Sequence, residues 1–115
     1  MPANRYNKPM SAMPVTDAQM LVRDAIARVN AVLPPGQAIG TDDSAVLLGP
    51  GATLDSLSVT SIFFEIETAA QAAGYTVDMF SAPFLLTPDT DTCVADITAW
   101  LTAQMARQRA AENAA

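Results

Sequence analysis

The sequence predicts an all-α fold: a small helical bundle of three main helices and one short helix, with a long loop between helices one and two. Two observations carry this prediction. Apolar residues recur at spacings of three and four in three segments, and no segment alternates like a half-buried strand. Proline and glycine separate these segments where helices would end. With 115 residues, the chain is expected to form one domain.

Helix one is predicted over residues 17–33. Thr16 followed by Gln19 matches a capping box, in which the two side chains satisfy free N–H groups at a helix start. Pro34 ends the helix because proline disfavours helical geometry in the residue before it. Residues 1–15 have no apolar period and are expected to form a flexible tail. The apolar face of the helix comprises Leu21, Val22, Ala25, Ile26, Val29, Val32 and Leu33.

The connection from Pro34 to Leu54 is long for a small domain, so part of it should pack inside. The apolar run 45–48 is the expected contact with the core. The next helix begins near Asp55 and Ser56, either of which is a good N-cap, and ends at Ala73. Gly74 is expected to take the left-handed conformation after it.

Helix two has two distinct sides at 100° per residue. One side is apolar and should face the core; it carries Val59, Ile62, Phe63, Ile66, Ala69, Ala70 and Ala73. The opposite side carries Leu57, Ser61, Phe64 and Thr68. Phe64 is a large ring on this small and polar side. Either the loop or the short helix covers it, or it forms with Leu57 an apolar contact for a partner, rimmed by Asp55, Glu65 and Glu67.

The last third of the chain should hold a short helical turn at 78–81 and a closing helix from about Thr92. Residues 108–115 are expected to fray, which leaves 16–107 as the folded domain. Cys93 is expected to be a buried small side chain, and Trp100 to be partly buried. Further apolar contacts are expected from Phe80, Phe84, Leu85 and Leu86, and the closing helix should present Val94, Ile97, Leu101 and Met105. The shared core should include Val22, Ile26, Val29, Ile66, Ile97 and Leu101.

The composition argues against several classes of enzyme. The chain has no histidine and one cysteine, which excludes Ser-His-Asp and Cys-His catalysis and a thiolate metal cage. The Gly49-Pro50-Gly51 segment lacks the Lys-Ser/Thr pair of a phosphate-binding P-loop. We therefore expect no catalytic residues and no metal. No apolar run is long enough to span a membrane and no secretory signal is visible, so a soluble cytoplasmic monomer is expected.

Charge is distributed unevenly. Residues 29–106 contain nine acids and no Lys or Arg, and all six bases lie outside this stretch. A surface of one sign repels nucleic acid and favours basic partners, although solubility alone could explain it. The acids are Asp42, Asp43, Asp55, Glu65, Glu67, Asp78, Asp89, Asp91 and Asp96.

The segment Leu54-Asp55-Ser56-Leu57, followed by the apolar and acidic stretch 62–67, resembles the acyl carrier protein family. In that family an Asp-Ser-Leu tripeptide opens the second helix. The resemblance covers roughly residues 17–105: a first helix, a long loop, the Asp-Ser-Leu helix, a short third helix and a closing helix. Ser58 and Ser61 stand where the family often has acids, which departs from carriers of ordinary fatty-acid synthesis.

The resemblance implies that Ser56, flanked by Asp55 and Leu57, carries a covalent 4'-phosphopantetheine arm. A separate magnesium-dependent phosphopantetheinyl transferase would attach it from coenzyme A. The chain would then hold acyl intermediates as thioesters in polyketide-like or fatty-acid-like biosynthesis. Its partners would be acyl-loading and condensing or tailoring enzymes with basic docking patches. The partner surface is expected at Leu57, Ser61, Phe64, Glu65 and Thr68.

Two other functions stay open. The chain could be an aminoacyl or peptidyl carrier, but the segment 52–54 lacks the paired glycines typical of those carriers. It could also be an unmodified helical adaptor that binds a partner through its acidic face. The tails at both ends are interpreted as those of a free-standing protein and not of a module from a megasynthase.

Overall fold

Three α-helices form most of the fold. A computed structural model describes residues 14–34, 36–52 and 54–114. Two short 3-10 helices and a two-stranded sheet accompany the α-helices. The prediction of a mainly helical chain with three main helices is confirmed, whereas the sheet and the two 3-10 helices replace the single short helix of the predicted all-α bundle. The elements in chain order are α1 (Pro14–Asn30), β1 (Val46–Leu48), α2 (Ser56–Ala72), the 3-10 helices Met79–Ser81 and Pro83–Leu86, β2 (Thr92–Cys93) and α3 (Val94–Ala114).

The sheet corrects the expectation that the chain has no strands. β1 and β2 are antiparallel, with Val46 opposite Cys93 and Leu48 opposite Thr92 and an irregularity between the two pairs. Strands of three and two residues are too short to show an alternation of apolar and polar residues. The loop after α1 is thereby fastened to the start of α3, and Leu47 is buried in the core as expected for the 45–48 run.

Helix α1 starts earlier and ends earlier than predicted. It begins at Pro14, so Thr16 lies within its first turn and the capping-box prediction is wrong. Proline suits the first helical position because its fixed φ is already helical and it has no N–H to satisfy. The helix ends at Asn30, and Val32 beyond it is 82% exposed and does not face the core. Residues 1–13 of the expected tail lie outside the described residues.

Asn30 holds the beginning of the long loop. Its side-chain nitrogen donates to the carbonyl oxygen of Ile39 at 2.9 Å, and the N–H of Ile39 donates to its side-chain oxygen at 2.6 Å. This pair of hydrogen bonds imitates a strand pairing and positions the Ile39 side chain in the core.

One core joins all the elements. Helix α1 packs against both α2 and α3. The six core residues expected from the sequence are all buried, which confirms the helical phases. The buried cluster comprises Ala18, Val22, Ala25, Ile26, Val29, Ile39, Leu47, Ile62, Phe63, Ile66, Met79, Val94, Ile97, Leu101 and Met105.

Helix α2 ends at Ala72, and Ala73, predicted as its last residue on the core side, is an exposed C-cap. The prediction for the residue after the helix is confirmed. Gly74 has a φ of 96°, in the left-handed region. The N–H of Tyr75 donates to the carbonyl oxygen of Ala70 at 2.9 Å, and the N–H of Gly74 donates to that of Gln71 at 3.0 Å. These two bonds form a Schellman motif, which satisfies carbonyls that the helix end would leave free.

The 3-10 segments contact the core through other residues than expected. A helical turn near 78–81 is confirmed. Leu86 is 81% exposed and is not a core contact, whereas Phe80 is 50% exposed and contacts the core only through the edge of the buried Phe63 ring. Met79 and Ala82 are buried instead. Phe84 and Leu85 pack at the core edge as expected, as does Trp100. The ring pairs are Phe63–Phe80 at 5.5 Å, Phe63–Phe84 at 6.0 Å and Phe84–Trp100 at 5.7 Å between centroids.

Helix α3 differs from the prediction at both ends. Cys93 lies in β2 and is half-buried, with its thiol donating to an Asp96 carboxylate oxygen at 3.3 Å, so a fully buried side chain in a first helical turn is wrong. The helix runs to Ala114, through residues for which the sequence predicts fraying. Gln108 bonds the backbone of Thr76, and Arg109 donates to the Tyr75 hydroxyl at 2.7 Å.

Candidate functional site

Ser56 is the first residue of α2, and Asp55 is its N-cap. The Asp55 carboxylate accepts a hydrogen bond from the backbone N–H of Ser58 at 2.8 Å. Hydrogen bonds from the backbone and then the side chain of Ser58 hold the pKa of Asp55 below its ordinary value of 3.8. The sequence left both residues open as the cap, and the structure assigns that role to Asp55.

The Ser56 hydroxyl is consequently left unused by the fold. Ser56 is exposed, and its side chain makes no hydrogen bond within the part of the chain that the structure describes. The first N–H groups of a helix lack acceptors within the helix, and the helix dipole adds positive charge there. A phosphate ester on Ser56 would therefore lie where an anion is favoured.

A mainly apolar cavity of about 370 Å³ lies beside Ser56. Both Ser56 and Asp55 are at its wall, so Ser56 adjoins a space with mainly apolar walls. Its apolar side chains come from β1, the loop, α2 and the 3-10 segments, and include Leu47, Leu54, Val59, Phe63, Phe80 and Leu85.

A second cavity of about 350 Å³ lies on another side of the helix start. It is lined by the loop that Asn30 holds and by Asp55 and Ser58, and Ser56 is not part of its wall. Asp55 lies in the walls of both cavities, which differ in polarity. Gln37, Asp55 and Ser58 make the second cavity more polar than the cavity beside Ser56.

The predicted partner residues are only partly brought together. Leu57 is 72% exposed and Phe64 is 63% exposed, and Thr68 is exposed beside Phe64, so the Phe64 ring is not covered by loop or short helix. Ser61, between them, is half-buried. A cavity of about 300 Å³ separates Phe64 from the segment that follows α2, at Tyr75 and Val77.

The two glutamates of α2 face other elements. Glu65 forms an ion pair with Arg28 of α1, with 3.5 Å between Nη1 and Oε1. A carboxylate oxygen of Glu67 accepts from the N–H of Met79 at 2.8 Å and holds the first 3-10 turn. The acidic rim expected around Phe64 is therefore engaged in contacts within the chain.

Sequence reasoning missed one feature beside Ser56 and one in the loop that precedes it. One is the apolar cavity, whose walls come from four separate segments. The other is Asp91, whose carboxylate accepts from the N–H of Gly51 at 2.7 Å. The two glycines of Gly49-Pro50-Gly51 were a signal for such a close approach.

Two absences hold for residues 14–34, 36–52 and 54–114, which the structure describes. These residues form no cluster of three or more potential metal-ligating side chains. Among the same residues, no helix has the length and apolar character needed to cross a bilayer. Comparison with protein-family models, with curated protein sequences and with solved structures finds no match to this chain.

Proposed function

We propose that this chain is an acyl carrier protein that holds its cargo through a 4'-phosphopantetheine arm on Ser56. One observation carries the proposal: Ser56 is exposed at the first position of α2 while Asp55 performs the capping. A serine that served as the cap would use its own oxygen to accept a backbone N–H. Here that oxygen stays available for a bond to phosphorus.

The residues around Ser56 fit such an arm. The hydroxyl is the only part of the attachment reaction that this chain supplies, and the base comes from a separate phosphopantetheinyl transferase. A chain without histidine is consistent with this division. When bound, the arm supplies the thiol on which acyl groups are carried as thioesters. The helix start favours the negative phosphodiester electrostatically.

The cavity beside Ser56 supports acyl over aminoacyl cargo. Its wall is formed mainly by Leu, Val and Phe side chains. Burial there would stabilise an aliphatic or aromatic acyl group by removing apolar surface from water, whereas a charged amino group would lose its hydration. Aminoacyl or peptidyl cargo is the alternative that this cavity disfavours.

Exposed apolar side chains on α2 support partner recognition on this helix. Leu57 and Phe64 are both more than half exposed. Large exposed apolar side chains are costly to hydrate and are enriched where partners bind. The excess of acids in residues 29–106 would steer basic patches of loading, condensing or tailoring enzymes toward this surface.

Intact-protein mass spectrometry tests the attachment directly. The chain is incubated with coenzyme A, magnesium and transferases of broad specificity. We expect the mass to rise by one phosphopantetheine group in the wild type and in Ser44→Ala, and to stay unchanged in Ser56→Ala. Ser44 is the control because it is an exposed serine like Ser56 but lies in the loop, outside α2 and the expected partner surface.

The outcomes separate the candidate functions. A wild-type mass that never changes with several transferases would favour the unmodified adaptor. Modification of Ser56→Ala would place the attachment elsewhere. Loading of the modified chain with acyl and aminoacyl groups then distinguishes the two classes of carrier.

A further inference from the structure

The loop that leads to Ser56 closely approaches Asp91, at the end of the segment before β2. The N–H of Gly51 donates to Asp91 Oδ1 at 2.7 Å. A Cβ atom at Gly49 would lie 2.6 Å from the Asp91 Cα, and one at Gly51 would lie 2.6 Å from Asp91 Oδ2. Gly49 also has a φ of 103°. At Gly49 a Cβ would meet backbone, so this position requires glycine, whereas at Gly51 a Cβ would displace the Asp91 carboxylate. We name Gly49, Gly51 and Asp91 the Asp91 latch.

The hydrogen bond of the Asp91 latch is one of several that attach the loop to the residues around the start of α3. The N–H groups of Val94 and Ala95 donate to the carbonyl oxygens of Ala45 and Asp43, each at 2.9 Å. The pairing of β1 with β2 carries the attachment to Leu48. Gly51 lies beyond the strand, so its bond to Asp91 extends the attachment toward Ser56.

We propose that Asp91 is a positioning residue for arm attachment at Ser56, and this inference rests on the proposed function. A transferase must bring the Ser56 hydroxyl into line with the phosphorus that bears the pantetheine part of coenzyme A. The serine oxygen bonds to this phosphorus while the pyrophosphate bond breaks, adenosine 3',5'-bisphosphate leaves, and a base of the transferase takes the hydroxyl proton. It must also contact the residues on either side of that serine. If the preceding loop is already ordered, the transferase does not have to order it on binding.

The latch acts through the loop and not through the helix cap. The cap of α2 is the bond between Asp55 and Ser58, which does not involve Asp91. Removing the Asp91 carboxylate should therefore leave α2 intact and increase the mobility only of the loop around Gly51. The defect should appear in KM, because loop ordering is a cost of binding, and little in kcat.

Three variants test the proposal: Asp91→Ala, Asp91→Asn and Asp89→Ala. Asparagine keeps an oxygen that can accept from Gly51 but loses the charge. Asp89→Ala removes a charge from the same exposed segment, and no hydrogen bond of Asp89 to the loop is seen. We expect Asp91→Ala to raise the KM of the transferase for the carrier about tenfold, the equivalent of one lost hydrogen bond. Asp91→Asn and Asp89→Ala should stay within about threefold of wild type.

Amide hydrogen exchange gives a readout that needs no transferase. Protection of the Gly51 amide should be lost in Asp91→Ala and kept in the other two variants, with far-UV circular dichroism unchanged in all three. A wild-type KM in Asp91→Ala overturns this inference alone, as does an equal KM rise in Asp91→Ala and Asp89→Ala. A wild-type chain that no transferase modifies overturns the proposed function and this inference with it.

Discussion

At the level of single residues, Asp55 and Ser56 differ in what they do at the start of α2. Asp55 closes the helix through the N–H of Ser58 and leaves the neighbouring hydroxyl exposed. The charged cap is a better acceptor than a hydroxyl because ionised acceptors form stronger hydrogen bonds. The identity of residue 55 therefore determines both the stability of the helix start and the availability of Ser56.

The lowered pKa of Asp55 predicts a specific dependence of stability on pH. Because the pKa is lower in the folded chain than its ordinary value of 3.8, the carboxylate stabilises the fold above that value. This contribution is lost as the pH falls through the folded-state pKa. We expect Asp55→Asn to have a lower free energy of unfolding than wild type at pH 7, and the difference to shrink below about pH 4.

Urea denaturation followed by circular dichroism between pH 2.5 and 7 measures this difference. Asp55→Ala is the companion variant, which should be less stable than Asp55→Asn because asparagine can still cap the helix. A difference between wild type and Asp55→Asn that is the same at all pH values would show that the cap does not depend on charge.

At the scale of one element, two adjacent residues of α2 lie in different surroundings, one in the core and the other on the surface. Phe63 is 1% exposed and its ring contacts those of Phe80 and Phe84, whereas Phe64 is 63% exposed. Phe63→Ala should lower the free energy of unfolding by about 3–5 kcal/mol, and Ile66→Ala by about 2–5 kcal/mol. Phe64→Ala should change it by less than about 0.5 kcal/mol.

Chemical denaturation of these three variants checks the phase of the helix. The pair Phe63 and Phe64 is internally matched, because the same atoms are removed at neighbouring positions. If Phe64 is a partner contact, Phe64→Ala should also slow turnover by a partner enzyme without affecting arm attachment. A large stability loss in Phe64→Ala would instead assign its ring to the core.

Helices were predictable from this sequence because their signals are local. The apolar period of α2, with Gly74 at its end, identified its buried residues. Two short strands could not be predicted in the same way. Residues 46–48 and 92–93 are distant in the chain, and their pairing depends on how the loop folds back onto α3.

A helix start near Asp55 and Ser56 was predictable from local capping signals, and the structure has it there. The role of Ser56 as a site stays a prediction. The cavity beside Ser56 requires side chains from four segments, and Asp91 reaches the loop from forty residues away. Contacts of this kind follow from tertiary packing, which no local pattern records.

For the whole molecule, a single core connects the three helices, the sheet and the first 3-10 helix. Domains of this size with one core usually unfold in a single cooperative transition. Trp100 is the only tryptophan, and its ring lies against that of Phe84. We therefore expect tryptophan fluorescence and far-UV circular dichroism to report the same midpoint in urea.

The test compares the urea midpoint from tryptophan fluorescence with the midpoint from circular dichroism. Fluorescence follows the contact between α3 and the second 3-10 segment, while circular dichroism follows all the helices. A fluorescence midpoint at clearly lower urea would show that the 3-10 segments, and with them one wall of the cavity beside Ser56, detach before the helices unfold.

The charges divide between two parts of the molecule. Helices α1 and α3 each contain two acids and two bases, whereas residues 31–93 contain eight acids and no base. This second part comprises the loop, the sheet strand β1, helix α2 and the 3-10 segments. Any basic partner is therefore attracted toward the part that holds Ser56.

The same distribution determines how the chain can be cut. Trypsin cleaves after Lys and Arg, and it would release the stretch from Val29 to Arg107 as one fragment. Ser56, the Asp91 latch and all of α2 would stay on that single peptide. Digestion at acidic residues divides it instead, because Glu65 and Glu67 follow Ser56 within the same helix. In a tryptic map, a modification of Ser56 would be found on this one long peptide without being assigned to a residue. Digestion at acidic residues would place the modification on a shorter peptide.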